Sequence, residues 1–143
     1  MVKIKTFSTY ETEKVGEKLA EKLKGNEIIA LYGGMGAGKT AFVRGLSRGL
    51  EVEDGVSSPT FAIVHEYIGK YNVYHFDMYR VDSWDDLYST GFFDYINNGV
   101  LVIEWSENIE SVIPDSSIKI TITADNENKR TILIEGIDKI WKY

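Results

Sequence analysis

The sequence predicts an α/β fold with a mainly parallel central sheet, antiparallel additions, a C-terminal β-hairpin and helices on both faces. Two continuous apolar runs, Ile28–Tyr32 and Val100–Ile103, are typical of strands that are covered on both sides. Apolar residues that recur with helical spacing between such runs predict amphipathic helices. Near the C terminus, the alternating segments Ile118–Ile122 and Thr131–Ile134 bracket a polar turn and predict the hairpin.

Length and composition predict a single domain over residues 1–143. Of the 143 residues, 43% are hydrophobic and 27% are charged, an ordinary balance for one globular core. The chain has no cysteine, which excludes disulfides and thiolate metal sites. Its formal net charge of −6 disfavours unaided binding to nucleic acid. Because it shows neither a secretory signal nor a long apolar stretch, we expect a soluble, cytosolic protein that contacts no membrane.

The first fifty residues predict strand, helix, strand and helix in that order. A short strand around Lys3–Lys5 precedes the capping box Ser8-x-x-Glu11, and the helix that follows is expected to end near Gly25. After the first long apolar strand, apolar residues on one helical face predict a second helix over Lys39–Gly49.

The middle of the chain predicts a hairpin and two short helices. Phe61–Tyr67 and Tyr71–Asp77 resemble strands and are separated by a short turn, which favours antiparallel pairing. Ser83 is the expected cap of a helix over Trp84–Tyr88, and another short helix is expected around Phe92. The fold is therefore not a strict alternation of strands and helices.

A glycine-rich segment between the second strand and the second helix predicts a phosphate-binding site. Gly33–Thr40 reads G-G-M-G-A-G-K-T, which matches the Walker A pattern G-x-x-x-x-G-K-T of a phosphate-binding loop (P-loop). Glycines let backbone N–H groups converge on a phosphate, and the following helix N terminus adds its positive dipole end. Lys39 supplies a charge to the outer phosphates, and the Thr40 hydroxyl can bind Mg²⁺.

Two carboxylates are candidates to complete such a site. Mg²⁺ prefers oxygen ligands and, beside a P-loop, usually lies between the loop hydroxyl and a carboxylate at the end of a neighbouring strand. Glu104 follows a buried strand and fits that position. Asp77 ends another strand and is a candidate to orient the attacking water. Its structural alternative is a surface ion pair with Arg80.

Other residues leave a structural and a functional interpretation open. Ser57-Ser58-Pro59-Thr60 lies where P-loop proteins have switch segments, but it also fits a simple turn into a strand. Trp105 suits stacking on a base or a partner, but tryptophans are more often core or interface anchors. His65 and His75 fall on predicted strands, where a hydrogen-bonded imidazole within the sheet is expected.

Taken together, these residues resemble the TsaE family of bacterial P-loop ATPases, also called YjeE. The resemblance rests on four motifs in order, namely Gly33–Thr40, Ser58-Pro59-Thr60, Tyr74–Arg80 and Glu104-Trp105, and it spans nearly the whole chain. It implies a small α/β ATPase that works with TsaD and TsaB in making N6-threonylcarbamoyladenosine in tRNA. The acidic net charge agrees with this resemblance, which implies that a partner carries the tRNA-binding surface and that the chain reaches tRNA only through the complex.

Carried over residue by residue, the resemblance implies a site for ATP and Mg²⁺. Lys39 and Asp77 are the expected catalytic residues, and Thr40 and Glu104 are the expected Mg²⁺ ligands. The family commonly has an acidic residue where this chain has Gly34, a departure that removes no group from the chemistry. The expected ATP contacts are Met35, Gly36, Ala37, Gly38, Lys39, Thr40, Asp77, Thr9, Glu107 and Arg130.

Three other functions are alternatives to an ATPase. A GTPase is disfavoured, because Asn128-Lys129-Arg130-Thr131 ends in threonine where the guanine motif N-K-x-D has its carboxylate. A small-molecule kinase would need an arginine-rich lid segment, which the sequence does not show. A nucleotide-sensing module that binds ATP and hardly hydrolyses it stays open, since a P-loop protein can be slow when its charge stabilisation comes from a partner.

Overall fold

The computed structural model describes residues 1–34, 36–53 and 64–137 of the chain. They form a seven-stranded sheet with helices packed on both faces. Within these residues, no helix has both the length and the apolar character needed to cross a membrane. In chain order the elements are β1 (Val2–Thr6), α1 (Thr9–Ala20), β2 (Ile28–Tyr32), α2 (Lys39–Gly49), β3 (Val64–Ile68), β4 (Asn72–Asp77), α3 (Trp84–Ser89), α4 (Phe92–Tyr95), β5 (Val100–Glu104), a 3₁₀ helix (Ser106–Val112), β6 (Ile118–Ala124) and β7 (Arg130–Glu135).

The sheet has a parallel centre and antiparallel edges. Its strand order is β1-β7-β6-β2-β5-β4-β3. β2 pairs in parallel with both β6 and β5, and β5 pairs in parallel with β4. The remaining neighbours, β1 with β7, β6 with β7 and β3 with β4, are antiparallel. The predicted α/β class, the hairpin in the middle of the chain and the C-terminal hairpin are therefore confirmed.

β2 and β5 lie inside the sheet because both of their faces are apolar. In β2, Ile29 and Leu31 belong to the core beneath α1 and α2, whereas Ala30 belongs to the core beneath α3, α4 and the 3₁₀ helix. All five residues of β5 are buried. Parallel strands covered on both faces need such continuous apolar runs, so the sequence pattern explains where these two strands lie.

Most element boundaries follow the sequence patterns. β2 and α2 span the predicted residues. Ser8 and Ser83 cap α1 and α3 as predicted, each accepting a hydrogen bond from a backbone N–H in the first turn of its helix. α1 ends at Ala20 and not near Gly25, because the hydrogen bonds just beyond Ala20 have the tighter spacing of a 3₁₀ turn.

α1 and α2 pack closely against each other, and two glycines allow the contact. A Cβ on Gly45 would lie 1.8 Å from the carbonyl oxygen of Glu13, and a Cβ on Gly16 would lie 2.4 Å from the carbonyl oxygen of Phe42. Both obstacles are backbone atoms, which move only if a helix moves. The close contact therefore fixes the position of α2, the helix that follows the glycine-rich loop.

Gly45→Ala is expected to lower the free energy of unfolding by about 1–3 kcal/mol, the usual cost of forcing extra atoms into a packed interior. The added methyl group has no space, so α1 and α2 must separate. Gly34→Ala is the matched control, because a Cβ at that position meets no atom within 4 Å. Chemical denaturation compares the two variants, and equal stability would contradict the close contact between the helices.

Candidate functional site

The glycine-rich loop connects β2 to α2 at the centre of the sheet. Gly33, Gly36 and Gly38 have φ values of 142°, 76° and 110°, which side chains disfavour and glycine tolerates. At Gly33 a Cβ would also lie 2.5 Å from the carbonyl oxygen of Ile122. Glycine at these positions lets the loop pass close to β6 and then turn into α2.

The N terminus of α2 differs from those of α1 and α3. Serine side chains cap α1 and α3, whereas Gly38 is the N-cap of α2, and among the described residues no side-chain hydrogen bond caps α2. The first backbone N–H groups of a helix carry a positive partial charge and need acceptors. Because the glycine loop leads directly into these N–H groups, an anion such as phosphate is a suitable acceptor.

Lys39 lies over the loop that precedes it. Its Nζ donates a hydrogen bond of 2.5 Å to the carbonyl oxygen of Gly33 and lies 3.8 Å from the centre of the Trp105 ring. Only 6% of the residue is exposed. Burial lowers the pKa of Lys39, and nearby carboxylates oppose this effect. The carboxylates belong to Glu107, Glu104 and Asp77.

Glu104 and Asp77 lie side by side at the ends of two parallel strands. Glu104 is the last residue of β5, Asp77 is the last residue of β4, and the two are partners in the sheet register. β2 also runs parallel to β5, so all three strands end at the same edge of the sheet. Alternate residues of a strand share one face of the sheet, so Val73 lies on the face of Asp77 and Val102 on the face of Glu104. Both valines belong to the core beneath α2. Both carboxylates therefore lie on the sheet face that α2 covers.

A buried hydrogen bond fixes one oxygen of Glu104. Its Oε2 lies 2.5 Å from Nε2 of His75, and these residues are 4% and 0% exposed. Nδ1 of His75 has no partner among the described residues. A proton on Nδ1 would be buried without an acceptor, so a neutral ring that donates from Nε2 to the ionised carboxylate satisfies the bonding best. His75 is thus the hydrogen-bonded sheet imidazole that the sequence predicts, although the sequence did not identify its partner.

Asp77 is half-buried and accepts a hydrogen bond of 2.9 Å from the backbone N–H of Tyr79 at Oδ1. The alternative prediction for Asp77 is a surface ion pair with Arg80, and the structure shows no ion pair between these two described residues. Burial raises the pKa of Asp77, the Tyr79 N–H opposes this, and the charge of Glu104 adds to it. A carboxyl group with a raised pKa beside the loop is a candidate to orient or activate a water molecule.

The structure brings Thr9, Glu107 and Arg130 to the same loop. Glu107 accepts a hydrogen bond of 3.1 Å from the Gly33 N–H, and Nη2 of Arg130 donates one of 3.3 Å to the Gly36 carbonyl. Thr9 and Arg130 line a cleft with about 310 Å³ of empty space that opens to solvent beside Gly38.

The protein groups at this site suit Mg²⁺ only when a bound phosphate supplies some of the ligands of the ion. The described part of the chain contains no group of three or more His, Asp or Glu side chains placed to hold a metal ion. Mg²⁺ that binds with a nucleotide needs only one or two protein oxygens, since phosphates and waters supply the others. Thr40 in the first turn of α2 and Glu104 at the end of β5 offer a hydroxyl and a carboxylate of the required kind.

Trp105 has an unusual backbone conformation next to Glu104. Its φ of 60° and ψ of 42° lie in the left-handed region, which for a bulky residue costs of the order of 1–3 kcal/mol. The ring lies over Lys39, and its centre is 4.9 Å from that of the Tyr79 ring. The sequence left Trp105 open between stacking on a base or a partner and a core or interface position, and no local pattern shows that its ring covers the lysine. Strain of this kind persists where surrounding contacts enforce it, and it is common at ligand sites.

Some predictions fall outside the described residues. Met35 of the loop and the candidate switch segment Ser57–Thr60 are among them. The strand predicted over residues 61–67 is described only from residue 64 onward.

Known proteins resemble this chain over most of its length. The family model described as "Threonylcarbamoyl adenosine biosynthesis protein TsaE" matches residues 6–132. A protein of Aquifex aeolicus named tRNA threonylcarbamoyladenosine biosynthesis protein TsaE is 41% identical over 130 residues, or 89% of this chain and 90% of that protein. The protein of the same name in Bacillus subtilis is 33% identical over 138 residues, or 95% of this chain and 86% of that protein. The crystal structure of Bacillus subtilis YdiB superposes with a TM-score of 0.72 at 31% identity, covering 93% of this chain and 83% of that one.

Proposed function

Because the chain belongs to the TsaE family, we propose that it binds ATP with Mg²⁺, hydrolyses it, and so supports formation of N6-threonylcarbamoyladenosine in tRNA. The observation that carries this proposal is the loop Gly33–Thr40. It joins the central strand β2 to α2, a helix that no side-chain hydrogen bond caps among the described residues, and Lys39 lies over it near Glu104 and Asp77. Helix N–H groups, an ammonium and strand-end carboxylates are the groups that P-loop ATPases use.

The triphosphate is proposed to bind along the loop, with its outer phosphates at Lys39. Phosphate oxygens then take the place of the Gly33 carbonyl as acceptors for Nζ of Lys39. Their negative charge raises the pKa of Lys39 and opposes the effect of burial, so ATP binding and protonation of Lys39 reinforce each other. The cleft lined by Thr9 and Arg130 lies next to the loop and can receive another part of the nucleotide.

Thr40 and Glu104 are the residues proposed to hold Mg²⁺. When bound, the ion neutralises phosphate charge and helps to orient the outer phosphate. His75 holds Oε2 of Glu104 and thereby fixes the direction of the carboxylate, whose second oxygen is the proposed ligand. Asp77, the register neighbour of Glu104, is proposed to orient the attacking water.

Glu104→Gln is expected to weaken the Mg²⁺-dependent part of ATP affinity by at least about tenfold, a loss typical of damage to a metal site. Glutamine keeps the size of the side chain and can still accept the hydrogen bond from His75, but it loses the charge that Mg²⁺ prefers. Alanine would leave His75 buried without that partner, so glutamine is the cleaner change. ATP is titrated by calorimetry in Mg²⁺ and in chelator, with the exposed Glu21→Gln as control. An unchanged Mg²⁺ dependence would remove Glu104 from the metal site.

The proposed partners are TsaD and TsaB. The net charge of −6 argues against a protein that holds tRNA by itself, because phosphates attract cations. We therefore propose that tRNA is reached only through the complex with these partners. The proposed place of action is the cytoplasm.

Phosphate release from ATP tests this function most simply. We expect slow release by the purified chain alone and faster release when TsaD and TsaB are added, because a partner can supply transition-state charge stabilisation. ATP binding without release under either condition would instead identify a nucleotide-sensing module. Labelled phosphate on an added metabolite would identify a kinase, and failure to bind ATP would contradict all three.

A further inference from the structure

Three large aromatic side chains form an exposed cluster on α3 and α4. Trp84, Tyr88 and Phe93 are 60%, 68% and 38% exposed. The Phe93 ring centre lies 5.8 Å from that of Trp84 and 6.2 Å from that of Tyr88. Scattered apolar residues are normal on a surface, but adjoining aromatic rings of this size are typical of interaction sites.

The segment that carries these rings is strongly acidic. Residues 82–95 contain four aspartates and no lysine, arginine or histidine. The four are Asp82, Asp85, Asp86 and Asp94, and none of them forms an ion pair with another described residue. We call the three rings and four aspartates the acidic aromatic surface. Its negative charge is therefore not neutralised within the described fold.

A groove beside Trp84 extends this surface. It lies between α3 and the 3₁₀ helix, opens to solvent, and contains about 450 Å³ of empty space. Its lining includes the apolar residues Val81, Leu87 and Ile109 together with the acidic Asp82. The surface thus combines exposed rings, carboxylates without an ion pair and a groove of mixed polarity. Protein interfaces likewise place aromatic residues beside a polar rim.

We propose that the acidic aromatic surface docks a partner protein through an apolar patch flanked by lysine or arginine. Apolar partner atoms cover the rings, and a basic side chain pairs with the aspartates or lies over a ring. The proposal rests on the proposed function in one respect, because TsaD–TsaB is taken to supply that partner.

Charge disfavours two other occupants of this surface. RNA would bring phosphates against four carboxylates, which repel them. A symmetrical contact between two copies of the chain would place the same four carboxylates on both sides of one interface, where like charges repel. A different protein with a basic surface would instead neutralise these carboxylates.

The groove also borders the chain segment that follows Asp77. Nδ2 of Asn108, a residue of the groove, donates hydrogen bonds of 2.7 Å and 3.1 Å to the carbonyl oxygens of Met78 and Tyr79. The N–H of Val81 donates a bond of 3.1 Å to the Met78 carbonyl. A partner seated in the groove therefore contacts residues that hold the end of β4.

The test measures binding of the purified TsaD–TsaB complex to labelled chain. Trp84→Ala and Tyr88→Ala remove exposed rings, and the double variant Asp85→Asn/Asp94→Asn removes two exposed charges. Because these side chains are exposed, folding is expected to persist, and circular dichroism checks it. The matched aromatic control is Tyr10→Ala on α1, a ring that is 63% exposed.

The matched charge control is Asp115→Asn combined with Glu21→Gln, two exposed acids outside the surface. We expect the Kd for TsaD–TsaB to rise at least about tenfold in each aromatic variant, as for a central interface residue. The double aspartate variant should bind more weakly at low salt and show less salt dependence. Both controls should bind as the wild type does.

Each outcome separates this proposal from the proposed function. If wild-type chain binds TsaD–TsaB and all three surface variants bind equally well, the docking surface is wrong and the proposed function stands. If wild-type chain does not bind the complex, the proposed partner is wrong, and the docking proposal falls with it. Self-association of the wild type that Trp84→Ala abolishes would assign the surface to a second copy and overturn the proposal.

Discussion

Lys39→Ala is expected to lower ATP turnover by about 10²–10³-fold, the usual effect of removing one preorganised donor from a transition state. Nζ of Lys39 lies against the Gly33 carbonyl and the Trp105 ring, at the point where the proposed phosphates bind. Alanine has no ammonium, so the negative charge on those phosphates loses the donor that stabilises it. Phosphate release under saturating ATP measures the loss in kcat, and calorimetry measures the accompanying loss of affinity.

Lys39→Met separates the charge from the packing of the side chain. Methionine keeps an unbranched chain beneath Trp105 but has no ammonium, so the same loss of turnover is expected with less disturbance of the fold. Lys22→Ala removes an exposed lysine and is the control for general charge effects. Wild-type turnover in a folded Lys39→Met variant would exclude Lys39 from the reaction.

Asp77→Asn is expected to bind ATP almost as wild type does but to lose turnover by about 10²–10⁴-fold, the range for removal of a general base. The asparagine carbonyl still accepts the hydrogen bond from the Tyr79 N–H, so the local backbone is kept. It cannot take a proton from water or hold the water as a carboxylate does. ATP affinity by calorimetry and phosphate release, each with and without TsaD–TsaB, separate binding from chemistry.

The same substitution is expected to raise stability at neutral pH. Burial raises the pKa of Asp77 above its ordinary value of 3.8, so between the ordinary and the raised pKa the native state binds more protons than the unfolded state. Stability therefore falls as pH rises through that window, and the ionised carboxylate is a cost at neutral pH. Asparagine removes this cost, and its advantage should shrink as pH falls through that window and be absent below 3.8.

Chemical denaturation at neutral pH and below pH 3.8 measures this difference. Asp94→Asn is the control, since Asp94 is exposed and lies outside the site. An Asp77→Asn variant that unfolds more easily than wild type at neutral pH would contradict the burial cost. A variant that fails to fold would favour a structural role for Asp77.

Local patterns predicted the elements that carry the loop. The continuous apolar run of β2 and the one-sided apolar face of α2 gave the boundaries Ile28–Tyr32 and Lys39–Gly49, both of which the structure shows. Glycines and serine caps are also local signals, and they placed the loop and the starts of α1 and α3. Such features need only neighbouring residues, so a single sequence reveals them.

Contacts between distant residues were not predictable in the same way. His75 and Glu104 are 29 residues apart, and only the pairing of β4 with β5 brings them together. Likewise, the place of Trp105 over Lys39 depends on a left-handed backbone that no pattern in the sequence signals. The position of β2 between β5 and β6 follows from long-range pairing, which periodicity along the chain does not encode.

The roles of the site residues followed from the motif and from the family resemblance, and they stay predictions. The structure adds that Glu107 and Arg130 hydrogen-bond the loop backbone at Gly33 and Gly36.

The central claim is that the loop Gly33–Thr40 binds a triphosphate with Mg²⁺. Calorimetric titration of ATP into the purified wild-type chain, in Mg²⁺ and again in chelator, tests it most directly. We expect saturable binding of one ATP per chain that weakens when the metal is removed. No binding, or binding that is the same with and without Mg²⁺, would contradict it.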